Sequence, residues 1–174
     1  TASTCTTCPG ATRHSQAGSV TVQDCTECPT GRYVDVDHIG CPQCALATYK
    51  DDTSALACSN CALGFQSNVN FTACTICPAG TYRGNTENVC VPCPLGTYGD
   101  GVGLTSCTPC PAGFFSDVEG QASCSACNLL SGEWSLTGAP ACSKCGVGIR
   151  PVGYEYCFRC DPGMVLQQPS SYYG

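Results

Sequence analysis

Cys77-Pro78-Ala79-Gly80-Thr81-Tyr82 is followed sixteen residues later by Cys93-Pro94-Leu95-Gly96-Thr97-Tyr98, and these two hexapeptides decide how the rest of the 174-residue chain is read. Proline holds φ near −65°, and glycine two residues on supplies a positive φ. Pro-x-Gly is therefore a turn that folds the chain back on itself. The aromatic then falls on the next short strand, where it can cover the neighbouring sulfur. The same step recurs as Cys28-Pro29-Thr30-Gly31-Arg32-Tyr33 and Cys110-Pro111-Ala112-Gly113-Phe114-Phe115, with looser copies at 44–49 and 61–65.

Working outward, all 20 cysteines fall in Cys-x-x-Cys pairs: Cys5 with Cys8, Cys25 with Cys28, Cys41 with Cys44, Cys58 with Cys61, Cys74 with Cys77, Cys90 with Cys93, Cys107 with Cys110, Cys124 with Cys127, Cys142 with Cys145, and Cys157 with Cys160. First cysteines are spaced 20, 16, 17, 16, 16, 17, 17, 18 and 15 apart. A period this regular signals an array of equivalent units, each too small to fold alone. Between pairs runs a polar stretch rich in Gly, Asp, Asn, Ser and Thr, suited to a hairpin with a solvated tip. No amphipathic helix is visible. The expected fold is a small, disulfide-rich, elongated array of short irregular β-hairpin repeats with little or no helix. It is one continuous array over 1–174, of about ten repeats of 15–20 residues, with a tail at 161–174.

Composition agrees. Leu, Ile, Val and Phe make up 29 of 174 residues, below the roughly 20% at which a chain struggles to bury a core. Covalent staples must substitute for the missing interior. The net charge is −6 with seven Lys and Arg, so no basic stripe invites nucleic acid or anionic lipid. No apolar run approaches a membrane span. Disulfides persist in exported proteins and are rare in the cytosol, so the expected location is extracellular or on the cell surface.

Two pairing schemes use this spacing. In the first, neighbouring pairs bond in parallel: Cys5–Cys25 with Cys8–Cys28, 41–58 with 44–61, 74–90 with 77–93, 107–124 with 110–127, and 142–157 with 145–160. It gives five two-pair modules, 5–28, 41–61, 74–93, 107–127 and 142–160. In the second, a daisy chain, the second cysteine of each pair bonds the first of the next, leaving Cys5 and Cys160 over. The even total favours the first and is preferred here; the absence of any odd–even alternation favours the second. The leftover cysteines of a daisy chain would suit a head-to-tail link between copies.

Few other residues suggest chemistry. Cys-x-x-Cys pairs are also a zinc spacing, but the uniform Pro-x-Gly-x-aromatic step suits hairpins better. No metal site or cofactor is expected. Redox catalysis would need a helix N-terminus to activate a thiol, and no catalytic residues stand out. Asn70-Phe71-Thr72 is an N-glycosylation sequon, on a hairpin arm just before Cys74. His14, His38, Asp35, Asp37, Asp51 and Asp52 read as solvated loop residues, and Trp134 as a repeat aromatic. Tyr172 and Tyr173 read as an interface or a frayed end.

The hexapeptides at 77–82 and 93–98 resemble the growth-factor-receptor type of cysteine-rich repeat. That family includes the ephrin-receptor-like modules and is distantly similar to tumour-necrosis-factor-receptor repeats. Long arrays of this kind are typical of protist surface antigens and the glycoproteins of flagellar hairs. The resemblance covers essentially the whole chain. It departs from pattern at the 5–28 loop and over 127–160, where Asn128-Leu129-Leu130 and Gly146-Val147-Gly148 replace Pro-x-Gly. It implies extracellular placement and no catalysis. The expected function is a structural protein of a cell surface, appendage or filament that associates with its own copies or other surface proteins. The alternatives are a receptor ectodomain or antigen that binds a protein ligand, and a zinc-binding protein.

Overall fold

The computed structural model describes residues 8, 13–14, 21, 24–36, 38, 40–54, 57–146, 150–152 and 156–158; at 13–14, 150–152, 156 and 158 this extends to the backbone alone. Sixteen very short strands follow one another: β1 Arg13–His14, β2 Thr26–Glu27, β3 Thr48–Tyr49, β4 Ser59–Asn60, β5 Phe65–Ser67, β6 Cys74–Ile76, β7 Thr81–Tyr82, β8 Val91–Pro92, β9 Thr97–Tyr98, β10 Thr108–Pro109, β11 Phe114–Phe115, β12 Ser125–Ala126, β13 Glu133–Trp134, β14 Ser143–Lys144, β15 Arg150–Val152 and β16 Tyr156–Phe158. Each odd strand pairs with the even strand that follows, so every sheet is a two-stranded hairpin. Thr48 faces Asn60 and Tyr49 faces Ser59, for example, in antiparallel register. The one 3-10 turn lying wholly within the described residues is Leu129–Ser131.

The sequence explains this arithmetic. From β3 to β13 the odd strands lie at the aromatic step, and they end at once because turn residues precede and follow. Most even strands are the two residues between the cysteines of a pair, as Ser59–Asn60 lies between Cys58 and Cys61. An isolated two-stranded hairpin is marginal in water, so something else must hold each one closed.

By compactness the chain forms two units, Thr1–Val91 with Gly101–Ser106, and Pro92–Asp100 with Cys107–Gly174. Within each, the turn glycine joins one hairpin to the next. In the first unit Gly31 donates to the Lys50 carbonyl at 2.7 Å and accepts from the Cys44 N–H at 2.9 Å; Gly64 does the same with Arg83 and Cys77, at 3.0 and 2.8 Å. In the second unit Gly96 uses Ser116 and Cys110, at 2.8 and 2.9 Å, and Gly113 uses Ser135 and Cys127, at 3.0 and 2.8 Å.

Glycine is needed here for two reasons. Gly64 has φ +76°, and a Cβ on it would lie 2.1 Å from the Gly103 carbonyl oxygen. Gly96 stands in the same relation to Gly138, also at 2.1 Å. Each turn is thus pressed against the hairpin tip two repeats further on.

The interior is sulfur. The buried apolar residues are Cys8, Cys28, Cys44, Cys61, Cys77, Cys93, Cys110, Cys127 and Ala47. No Leu, Ile, Val, Phe, Tyr or Trp among the described residues is buried. Many aliphatic side chains are exposed, Val36 and Leu130 each at 94%, and Val34, Val91 and Leu104 are half-buried.

Candidate functional site

Nine disulfides run as a daisy chain: Cys8–Cys25, Cys28–Cys41, Cys44–Cys58, Cys61–Cys74, Cys77–Cys90, Cys93–Cys107, Cys110–Cys124, Cys127–Cys142 and Cys145–Cys157. The preferred parallel pairing, and with it the double stapling of five modules, is overturned. Strand geometry gives the reason. The residues between the cysteines of a pair are extended, and successive side chains of a strand point to opposite faces. Two cysteines three residues apart therefore face opposite ways. One closes its own hairpin and the other opens the next. Cys5 and Cys160 lie outside the described residues.

Cα–Cα separations of 5.5–5.8 Å fit unforced bridges. Cys8 and the second cysteines of the pairs from Cys28 to Cys127 are buried, whereas Cys145 is half-buried, as are the first cysteines from Cys25 to Cys157. Zinc binds thiolate sulfur, and a sulfur held in a disulfide offers none. No group of three or more potential ligands for a metal ion occurs among the described residues.

Burying a cysteine also buries its carbonyl, which must find a donor. Two solutions occur. Lys50 is 2% exposed, and its Nζ donates to the Cys28 carbonyl at 3.1 Å and to the Thr53 carbonyl at 3.4 Å. Arg83 is 7% exposed. Its Nη1 donates to the carbonyls of Cys61, Ala62 and Phe65 at 3.3, 2.8 and 2.7 Å, while Nε donates to Glu87 at 3.1 Å. Elsewhere a loop glycine takes the place of the cation. Gly103, Gly120 and Gly138 donate their N–H to the carbonyls of Cys77, Cys93 and Cys110, each at 2.8 Å.

Lys50, Arg83, Ser116 and Ser135 share one slot, directly after the repeat aromatic, and all four are buried. The serine hydroxyls donate to carbonyls as well, Ser116 to Val118 at 3.1 Å and Ser135 to Phe114 at 2.9 Å. Sequence reasoning missed this inward-facing slot. The available signal was its fixed place after Tyr49, Tyr82, Phe115 and Trp134. Burial holds the Lys50 ammonium below the usual lysine range, opposed in part by the Asp52 and Glu27 carboxylates.

The remaining candidates scatter. Asp52 is bound into its own turn, accepting from the Ser54 amide at 2.8 Å and the Ser54 hydroxyl at 2.5 Å. Those bonds, the hydroxyl foremost, lower its pKa. Asp51 is exposed beside it. Asp35 accepts from the Gly40 N–H at 3.0 Å. His38 has φ +54° and a buried Nδ1 with no hydrogen-bond partner among the described residues. The His14 backbone lies in β1, and Asp37, Tyr172 and Tyr173 fall outside the described residues.

Trp134 takes the repeat-aromatic position opposite Ser143, half-buried, with its Nε1 unpaired among the described residues. The departure at Asn128 is a two-residue insertion. Asn128 caps the 3-10 turn, and Gly132, at φ +79°, then plays the part that Gly113 plays one repeat earlier. Its carbonyl accepts from the Cys145 N–H at 2.9 Å. The sequon lies in the turn at a hairpin tip rather than on an arm, with Asn70 exposed.

No helix among the described residues is long and apolar enough to cross a membrane. No curated protein matches the chain. Three overlapping stretches, 64–106, 80–127 and 96–145, match the family model described as tyrosine-protein kinase ephrin type A/B receptor-like. Their period and disulfide ladder are those of disulfide-rich domains typical of extracellular proteins. Residues 64–145 are thus similar to repeats of the cysteine-rich, ephrin-receptor-like type.

Proposed function

We propose that the chain is a structural segment of an extracellular protein belonging to a cell surface, appendage or filament. The observation that carries this reading is the interior. Half-cystines, one alanine and a few backbone-capping side chains fill it, and no larger apolar side chain among the described residues is buried. Such a core resists unfolding without needing bulk. It also leaves apolar side chains exposed in several of the loops, Val36, Val69, Val102 and Val118 among them. Exposed apolar groups suit association with copies of the same array or with other surface proteins. We assign the chain no catalytic step.

The test is assembly. The oxidised chain is concentrated and followed by sedimentation and electron microscopy. Regular oligomers or fibres are expected. A chain that stays a monodisperse monomer at millimolar concentration would overturn the structural reading. The match to a receptor-like family favours a second reading, an ectodomain that binds a protein ligand. Saturable one-to-one binding of a soluble protein by that monomer would establish it instead.

A further inference from the structure

We infer that Asn70 carries an N-linked oligosaccharide. Three observations support the assignment. Asn70-Phe71-Thr72 meets the acceptor pattern, with a hydroxyl residue two positions after the asparagine and no proline between. Asn70 sits at a hairpin tip with its side chain exposed, and no described residue hydrogen-bonds its carboxamide. Its backbone, by contrast, is fixed. Its carbonyl oxygen lies where a Cβ on Gly31 would be only 2.2 Å away, and the next carbonyl, of Phe71, accepts from the Lys50 N–H at 2.9 Å.

The neighbouring asparagine is built in the opposite way. Asn68 turns inward and closes the loop. Its Oδ1 accepts from the amides of Thr72 and Ala73 at 2.9 and 3.4 Å, and its Nδ2 donates to the Thr72 hydroxyl at 3.0 Å. Of the two asparagines at this tip, one is used up in holding it and the other is presented to solvent. The folded hairpin therefore accommodates a bulky group on Asn70 without moving backbone.

The reaction needs a lipid-pyrophosphate-linked oligosaccharide and the membrane transferase of a secretory pathway, so it rests on the extracellular reading above. The Asn70 amide nitrogen forms a bond to the anomeric carbon of the first sugar. The bond from that carbon to the pyrophosphate oxygen breaks, the lipid pyrophosphate leaves with the electron pair, and the amide proton passes to the transferase. The product places a hydrophilic chain beside Val69, which is 89% exposed.

The experiment expresses the chain behind a secretory signal in a eukaryotic cell, alongside Asn70→Gln, Asn68→Gln and Thr72→Ser. Both medium and membrane fractions are treated with an amidase that releases N-glycans. A mass loss on treatment is expected for the parent chain and for Thr72→Ser, mapping to the peptide that holds Asn70. Asn70→Gln should lose the shift and still be exported with its disulfides. Asn68→Gln should keep the shift even if the tip loosens and the chain is retained, because transfer precedes folding. A parent chain that is exported, oxidised and unmodified overturns the proposal and leaves the extracellular reading standing. A parent chain that enters the membrane fraction and stays reduced there defeats that reading itself.

Discussion

Replacing Gly64 with alanine separates two costs that usually come together. The backbone at Gly64 has φ +76°, and an L-residue held there pays roughly 1–2 kcal/mol. Alanine recovers about 0.4–1 kcal/mol of that through a stiffer unfolded chain. Neither term is the main one. The new Cβ would lie 2.1 Å from the Gly103 carbonyl oxygen and 2.6 Å from its carbon, both backbone atoms of the tip two repeats on. The tip must move away. Moving it strains the Gly103 N–H bond to the Cys77 carbonyl at 2.8 Å and the Arg83 N–H bond to the Leu104 carbonyl at 2.9 Å. At about 1 kcal/mol net for each hydrogen bond, the local loss is about 2–3 kcal/mol.

The chain supplies its own control. Ala47 fills the same repeat position at φ +64° and is buried, so the conformational cost alone is tolerable. Ala47→Gly should therefore change local stability by less than about 1 kcal/mol. Global unfolding is a blunt readout in a cross-linked chain, but amide exchange reads local opening directly. In Gly64→Ala the amides of Gly103 and Arg83 should exchange about 30- to 150-fold faster, at 1.36 kcal/mol per decade, with little change in the second unit. Protection at both amides within threefold of the parent would refute the close-approach argument.

Four further outcomes are expected. Arg83→Met strands the carbonyls of Cys61, Ala62 and Phe65. It should lower the midpoint of guanidinium unfolding by the equivalent of about 3 kcal/mol, at 1–3 kcal/mol per unsatisfied buried group. Trp134→Phe removes a buried donor that lacks a partner and should be neutral or stabilising by up to about 1 kcal/mol in the same assay. Asp52, Glu87 and Glu133 all have lowered carboxyl pKa values, Glu87 mainly through the Thr86 hydroxyl and Glu133 mainly through the Asn128 amide. Their contribution is complete above the unfolded values and should fade as pH falls from about 4.5 through the folded ones; thermal melts between pH 7 and 3 check this, and Glu87→Gln should flatten the slope. Finally, a phosphine reductant should abolish protease resistance, because each loop of about 15 residues owes roughly 3 kcal/mol to its bridge, whereas a metal chelator should leave resistance unchanged.

The hairpin array was legible because its signal is repeated: Pro78-Ala79-Gly80 and Pro94-Leu95-Gly96 each spell a turn, and the pairs on either side fix its limits. The disulfide partners were legible in principle. Treating Ser59–Asn60 or Thr108–Pro109 as strand sends the flanking cysteines to opposite faces and selects the daisy chain; an even cysteine count carries no such geometry. Gly132 was hidden by an insertion that a search at fixed offset from Cys127 passes over. Lys50 and Arg83 were harder, because a charged residue after an aromatic normally faces water. Their burial follows from a need of the backbone, a donor for the carbonyls of Cys28 and Cys61, and no side-chain pattern displays a carbonyl.

That need also bears on where function can reside. In the 44–58 and 77–90 loops a long cation after the aromatic reaches the carbonyl of the cysteine that opens the previous hairpin, Cys28 or Cys61. In the 110–124 and 127–142 loops a serine stands after the aromatic, and a glycine from the tip, Gly120 or Gly138, brings its N–H to the same kind of carbonyl. The two arrangements satisfy one acceptor by different routes, so either can be used repeat by repeat. What each repeat must keep is then short: two half-cystines, a residue that tolerates positive φ at the turn, an aromatic, and one donor for the buried carbonyl. The remaining positions, including x of Pro-x-Gly and the apolar residues at the tips, lie outside this set. They can change without disturbing the interior. An array built this way leaves these exposed positions out of what holds its shape, and under the proposed function substitutions at Leu63, Leu95, Val102 and Val118 should therefore alter association while leaving the oxidised fold intact.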